Sequence, residues 1–222
     1  GTALSTIIKY YTKDEFSHVS IALDANLEEM YSFGRLNPYN PFIGSFVHEH
    51  INKGTFKRFK NTKAKVYSFY VTDEQYEKAK KTILYFENNK NKYKFNVLGL
   101  ACVSINKRII RKNTFYCAEF VKHILKAARI SDAHNLPEII KPEDFKKLNS
   151  LNLEYDGKLS CFGSKWKKDS YKFLNTRQWI KNLKKGRKYV KIFIWKSANS
   201  RLKFKRENVE RDSFDQEFVI SS

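Results

Sequence analysis

"NTFYCAEFVKHIL", residues 113–125, sets a cysteine at the start of a helical pattern. Asn113 and Thr114 are N-cap residue types, so a helix is expected to begin behind them. Cys117, Phe120, Val121, Ile124, Leu125 and Ala128 recur at helical spacing and share one face, and the pattern ends near Ile130. Two readings of Cys117 follow. It is one more small apolar residue on that face, or it is a nucleophile whose thiolate is favoured by the partial positive charge of a helix N-terminus. The second reading needs a base from elsewhere in the chain.

Composition frames that search. The 222 residues include 18 Phe and 13 Tyr with 41% hydrophobic content, enough for a sizeable core. The formal charge of +20 points to an anionic partner or surface without identifying it. Three cysteines, Cys102, Cys117 and Cys161, form no spacing motif, which argues against a disulfide framework and for a reducing compartment. The longest apolar run, "VLGLACVSI" at 97–105, is too short to span a membrane. A cytoplasmic location is the expectation. Export is left open, because the sequence starts without methionine.

Outward from the cysteine helix, the chain alternates strands and helices. After a short opening segment, "FSHVSIALD" (16–24) sets Val19, Ile21 and Leu23 against His18, Ser20 and Ala22, the pattern of a half-buried strand. "MYSFGR" follows the turn-like "DAN", so residues 16–34 are expected to form a hairpin. "LNPYNPFIGSF", with two prolines and a glycine, reads as a loop. "KVYSFYV" reads as a strand and "TDEQYEKAKKTILYFENN" as a helix capped by Thr72 or Asp73. A shorter helix around 95–103 carries Cys102 among apolar residues, where it is expected to be a buried small hydrophobe. "KPEDFKKL" begins a helix with Pro142, and "LNLEYDGKLSCF" closes the region as a strand. The fold class is therefore α+β, a small antiparallel sheet with packed helices.

Composition shifts near Gly163. Residues 164–222 hold 17 Lys/Arg against 6 Asp/Glu, so this stretch carries +11 of the +20. It divides the chain into a domain at 1–163 and a basic, aromatic-rich extension at 164–222. Within the extension, "TRQWIKNLKKG" looks helical and "KYVKIFIW" looks like a strand too apolar to lie exposed, so part of it is expected to pack on the core. Lysines interleaved with Trp166, Tyr171, Phe173, Trp179, Tyr189, Phe193 and Trp195 suit a polyanion: nucleic acid, anionic lipid or a wall polymer. The plainer reading is a solvated lysine face over aromatic core residues.

Five histidines can supply the base. His123 follows Cys117 by six residues, on another face of the same helix and too far along it. His134 lies in a polar connection, and His48 and His50 flank Glu49 in "FVHEH". His-x-His without a CxxC or HExxH pattern is a poor metal signature, so no metal and no cofactor are expected. His18 stands on the strand face opposite Val19, Ile21 and Leu23, beside the small Ser20 and Ala22, which leaves room for another element to approach the imidazole. A lone strand histidine is more often a satisfied structural residue. A cysteine opening an apolar helix together with a histidine opening a strand is different, because these are the two parts of a papain-like thiol site.

"FSHVSIALD" and "MYSFGR", followed about a hundred residues later by "FYCAEFVKHIL", resemble the circularly permuted NlpC/P60 group of papain-like proteins, most closely a clostridial or bacillar branch. The resemblance runs from about residue 1 to about residue 160. It implies a small antiparallel sheet carrying the cysteine helix, with Cys117 as nucleophile and His18 as general base. It also implies thioester chemistry on an amide or ester, by a peptidase, amidase or acyltransferase acting on a peptide, a peptidoglycan-like or an acyl substrate. Members usually place His, Glu or Gln on the strand after the histidine strand, and "MYSFG" offers none. Ser32 or Glu49 is left for that role. Glu49 is the better choice, because a carboxylate stabilises an imidazolium more than a hydroxyl does. The alternative function is a basic binding protein on the same scaffold, for nucleic acid or an anionic surface, without catalysis.

Overall fold

The computed structural model describes residues 16–24, 26–37, 40–58, 61–103, 105–149, 151–162 and 188–196. The alternating pattern that begins at His18 forms β1 (His18–Ala22), which pairs antiparallel with β2 (Met30–Asn37). Asp24 builds the turn between them. Its Oδ2 accepts from the amides of Asn26 at 2.9 Å and Glu28 at 3.0 Å, and its Oδ1 from the amide of Glu29 at 2.7 Å. An aspartate that gathers three amides spares them an orphaned state in a tight reversal.

The chain continues as β3 (Asn40–Glu49), antiparallel to β2. This corrects the loop expected for "LNPYNPFIGSF". Proline and glycine there mark an edge strand rather than a break: β3 ends the sheet, and an edge strand tolerates a residue without an N–H. Gly44 is required by close approach, since a Cβ on it would stand 2.5 Å from the Gly34 carbonyl oxygen and 2.8 Å from Phe95 Cβ. A short α1 (Gly54–Arg58), not anticipated from the sequence, precedes β4 (Lys63–Val71).

Three helices follow along the chain. α2 (Asp73–Asn88) starts at Thr72, whose Oγ1 accepts from the Gln75 amide at 3.1 Å while Gln75 Oε1 accepts from the Thr72 amide at 3.0 Å. This reciprocal cap satisfies two otherwise orphaned donors. α3 (Val97–Val103) carries Cys102, which is half-buried rather than enclosed, because the buried face of this short helix is Gly99 and Val103. β5 (Lys94–Phe95) and β6 (Thr114–Phe115) pair in parallel and lead into α4 (Cys117–Ala127). Thr114 is therefore strand, Asn113 has φ 56°, and the N-cap is Tyr116, which shifts the expected helix start by two to three residues. Its C-terminus lies at Ala127, short of Ile130. Pro142–Lys147 forms a 3-10 turn with proline at its start, and β7 (Asn152–Lys158) follows.

The last described element changes the architecture. β8 (Lys188–Lys196), the strand expected in "KYVKIFIW", lies in the middle of the sheet, whose order is β3-β2-β1-β8-β4-β7 with every pair antiparallel. Ile192 faces Ile21 on one side and Tyr67 on the other, and it is fully buried. The boundary drawn at Gly163 thus does not separate β8 from the sheet. The expected helix at 176–186, the rings of Trp166, Tyr171, Phe173 and Trp179, and the opening segment lie outside the described residues.

On one face of the sheet, Val19, Ile21, Tyr31, Phe33, Phe46, Phe69 and Ile192 pack against Phe86 of α2 and Cys117, Phe120, Val121, Ile124 and Leu125 of α4. Each large apolar side chain buried there contributes about 1.5–3 kcal/mol. On the other face Ala22, Met30, Ala64 and Val66 meet Leu27, Phe56, Tyr155, Leu159 and Phe162. The chain is α+β, and among the described residues no helix is long and apolar enough to cross a membrane.

Removing β8 leaves β1 and β4 each with an unpaired edge in the centre of the sheet. A chain ended after Gly163 is expected to lack a cooperative urea transition. In the full chain, Ile192→Ala is expected to lower the unfolding free energy by about 2–5 kcal/mol, because the packed site around it has little room to collapse.

Candidate active site

α4 begins at Cys117 because the preceding residue is held from two directions. The Tyr116 amide donates to Glu119 Oε2 at 3.2 Å, and the Tyr116 hydroxyl donates to the Ile140 carbonyl at 3.0 Å. Burial, with the nearby Glu119 and Cys117, pushes the Tyr116 hydroxyl far above its ordinary range, so it stays a neutral donor. Cys117 is therefore the first residue of α4, where the helix's leading amides have no intrahelical acceptor and carry its positive end. The helix's apolar stripe buries Cys117 to 1% exposure.

His18 opens β1, and the structure brings it close enough to the cysteine for the charge and hydrogen-bonding capacity of Cys117 to act on the imidazole. The other side of the imidazole is held by Glu49, with His18 Nε2 3.0 Å from Glu49 Oε1. Glu49 is the last residue of β3, so it comes from a strand end. Its second oxygen, Oε2, accepts a short hydrogen bond from the buried Ser20 hydroxyl. Gly34 lies under this group, since a Cβ there would stand 3.6 Å from both His18 Cε1 and Glu49 Oε1.

The electrostatics follow from that packing. Burial opposes a charge on the imidazole and lowers its pKa, but the negative charges of Glu49 and Cys117 and their hydrogen bonds outweigh it. The net result raises His18 from 6.5 to about 10. A neighbouring opposite charge in a poorly solvated place has this effect because little water competes with it. His18 is an imidazolium at neutral pH, poised between a carboxylate and a sulfur.

Three of the residues singled out from the sequence, Cys117, His18 and Glu49, therefore meet. Ser32 does not join them. Its hydroxyl donates to the Val19 carbonyl at 2.8 Å and ties β2 to β1. His48 is engaged through Nε2 with the Glu28 carbonyl at 2.9 Å and stacks on Tyr31. His123 sits edge-on to Phe86 and Phe115, and burial lowers its pKa. Among the described residues no three His, Cys, Asp or Glu side chains converge as ligands for a metal ion. Ser20 was missed as a functional residue and read only as a small neighbour. Its signal was the H-x-S spacing, which puts both side chains on one strand face.

Comparison of the chain with family models, with curated proteins and with solved structures finds no match.

Glu49→Gln keeps the shape of the Glu49 side chain and removes its charge, so the His18 titration, followed by NMR of its ring protons, is expected to fall from about 10 toward 6.5. Ser20→Ala is expected to give a smaller fall in the same direction, by loosening the carboxylate. A histidine raised on folding adds stability that is complete below its unfolded pKa and disappears as pH climbs through its folded one. Urea unfolding of the unaltered chain should lose stability between pH 6.5 and about 10. In Glu49→Gln that loss should be smaller and should occur at lower pH.

Proposed function

We propose that the protein is a cysteine hydrolase or acyltransferase that cleaves an amide or ester bond through a thioester on Cys117. The observation that supports this reading most is the imidazole of His18 held between the Cys117 thiol and the Glu49 carboxylate at the start of α4. A thiol in the core needs no charged histidine beside it, and a structural histidine needs no sulfur. Together they form an ion pair whose sulfur is a nucleophile.

The chemistry runs in two halves. The Cys117 sulfur attacks the carbonyl carbon, forming a C–S bond and placing negative charge on the carbonyl oxygen. Backbone amides at the start of α4 are suitably charged to stabilise that oxygen. The tetrahedral species collapses, the C–N or C–O bond breaks, and the His18 imidazolium gives its proton to the departing amine or alcohol. His18, now neutral, takes a proton from water or from an acceptor nucleophile, which attacks the thioester. The acid or the transferred acyl product leaves, and the sulfur returns to its pair with the imidazolium. Glu49 orients the ring through Nε2 and stabilises its positive form, the role of the acid in a triad. Cys117 is 1% exposed and the His18 side chain 13%, so the substrate's carbonyl is expected to enter beside the imidazole.

The order of histidine strand before cysteine helix, and an antiparallel sheet under that helix, support a permuted papain-like core of the NlpC/P60 kind. The substrate classes that this core carries are peptide, peptidoglycan-like and acyl compounds.

The test is alkylation by iodoacetamide at about pH 6, where an ordinary thiol is slow. Mass mapping is expected to find Cys117 modified first. His18→Ala should slow that modification by at least tenfold, and Cys117→Ala should abolish both fast labelling and the burst from a chromogenic acetyl ester. Cys161 is exposed, so it serves as the comparison thiol in the same digest. Equal labelling of all three cysteines at about pH 6 would refute the reading.

A further inference from the structure

α4 turns a second face toward a groove of about 640 Å³ that the thiol chemistry does not use. Lys122 and Lys126 line it from the helix, Arg108 and Arg111 from the segment before β6, and the half-buried rings of Tyr93 and Phe115 form part of its wall. The helical period explains the separation from the active site. Positions 119, 122, 123 and 126 share a stripe, whereas Cys117, Phe120, Val121 and Ile124 lie on the buried one.

The acids in the groove are already engaged. Glu138 forms a short ion pair with Arg108, and Glu119 accepts from the Tyr116 amide. Among the described residues, Lys122 donates to a neutral carbonyl, that of Pro137, at 2.5 Å. Arg111 and Lys126 have no acidic partner among the described residues. Burial, then the like charges of Lys126 and Arg108, lower the pKa of Lys122, against the opposing charges of Glu138 and Glu119.

We propose that this groove binds a nucleoside phosphate, with its phosphates on Arg111, Lys122 and Lys126 and its base against Tyr93 and Phe115. The charge excess asks for an anion of more than one charge, which a phosphate chain supplies. The volume lies in the range of small-ligand sites, roughly 300–1,000 Å³, and exceeds what a lone phosphate fills. Half-buried rings beside the cations give a planar base a stacking surface. None of this depends on the thiol reaction, so either reading can fail without the other.

The experiment is calorimetric titration of the full chain with ATP, inorganic phosphate and a single-stranded oligonucleotide. Two double variants accompany it. Arg111→Gln/Lys126→Gln alters the groove, and Lys80→Gln/Lys81→Gln removes the same charge from exposed positions on α2. ATP is expected to bind more tightly than inorganic phosphate. The groove variant should lose about tenfold or more in ATP affinity, since each lost contact is a charge-assisted hydrogen bond, while the α2 variant changes by less than about twofold. Equal losses in the two variants would reduce the effect to diffuse charge and overturn the proposal. So would the absence of ATP binding by the unaltered chain, or a groove-specific loss seen with the oligonucleotide alone. Thermal melting verifies that both variants fold. If the groove pair melts early, Arg111→Gln alone, in an exposed position of the segment before β6, carries the same comparison with an expected loss of at least about threefold.

Discussion

A carboxylate and an imidazole 3.0 Å apart, both nearly closed to solvent, fix the geometry of everything around Cys117. Neither group is at ease alone in that environment, because a buried charge without a partner costs several kcal/mol. Their pairing resolves the cost only if β1, β2 and β3 hold a register that brings a residue at one strand end to a residue at another. Ser20 completes the arrangement by taking the second carboxylate oxygen, so that Glu49 cannot rotate away without leaving a buried acceptor unmet.

The sheet that enforces this register is built from distant parts of the chain. β1 lies between β2, a neighbour in sequence, and β8, which comes more than 160 residues later. His18 itself pairs with Trp195 in the β1–β8 ladder. The basic stretch beyond residue 163 therefore takes part in positioning the histidine, whatever its charge does at the surface. A site that depends on so late a strand cannot form on the growing chain until that strand is present, and long-range pairing of this kind is slow for reasons of loop-closure entropy.

α4 serves two ends through one periodicity. Its apolar stripe buries Cys117 against the sheet, and its polar stripe faces the basic groove. Tyr116 is the pivot, since its amide and its hydroxyl fix where the helix starts and hence which residue occupies the first position. Moving the start by one residue would rotate both faces by about 100° and separate the thiol from the imidazole.

Local chemistry determined what depends on local pattern. The strand of Val19 and Ile21, the helical spacing behind Cys117 and a cap at Thr72 are written within a few residues, although β1 is buried on both faces, Ser20 and Ala22 included, where its alternation predicts only one. Cys117 and His18 were legible for the same reason: a cysteine at a helix start and a histidine at a strand start are local features. The edge strand β3 was not legible, because Pro41 signals a break unless the strand's place at the sheet edge is known. Nor was the strand position of Glu49, 31 residues from His18, or the partnership of Ser20 with its carboxylate. Those contacts are set by which strands lie side by side and in what register. That depends on how the whole set of apolar faces is buried at once, and no short stretch of the chain contains it.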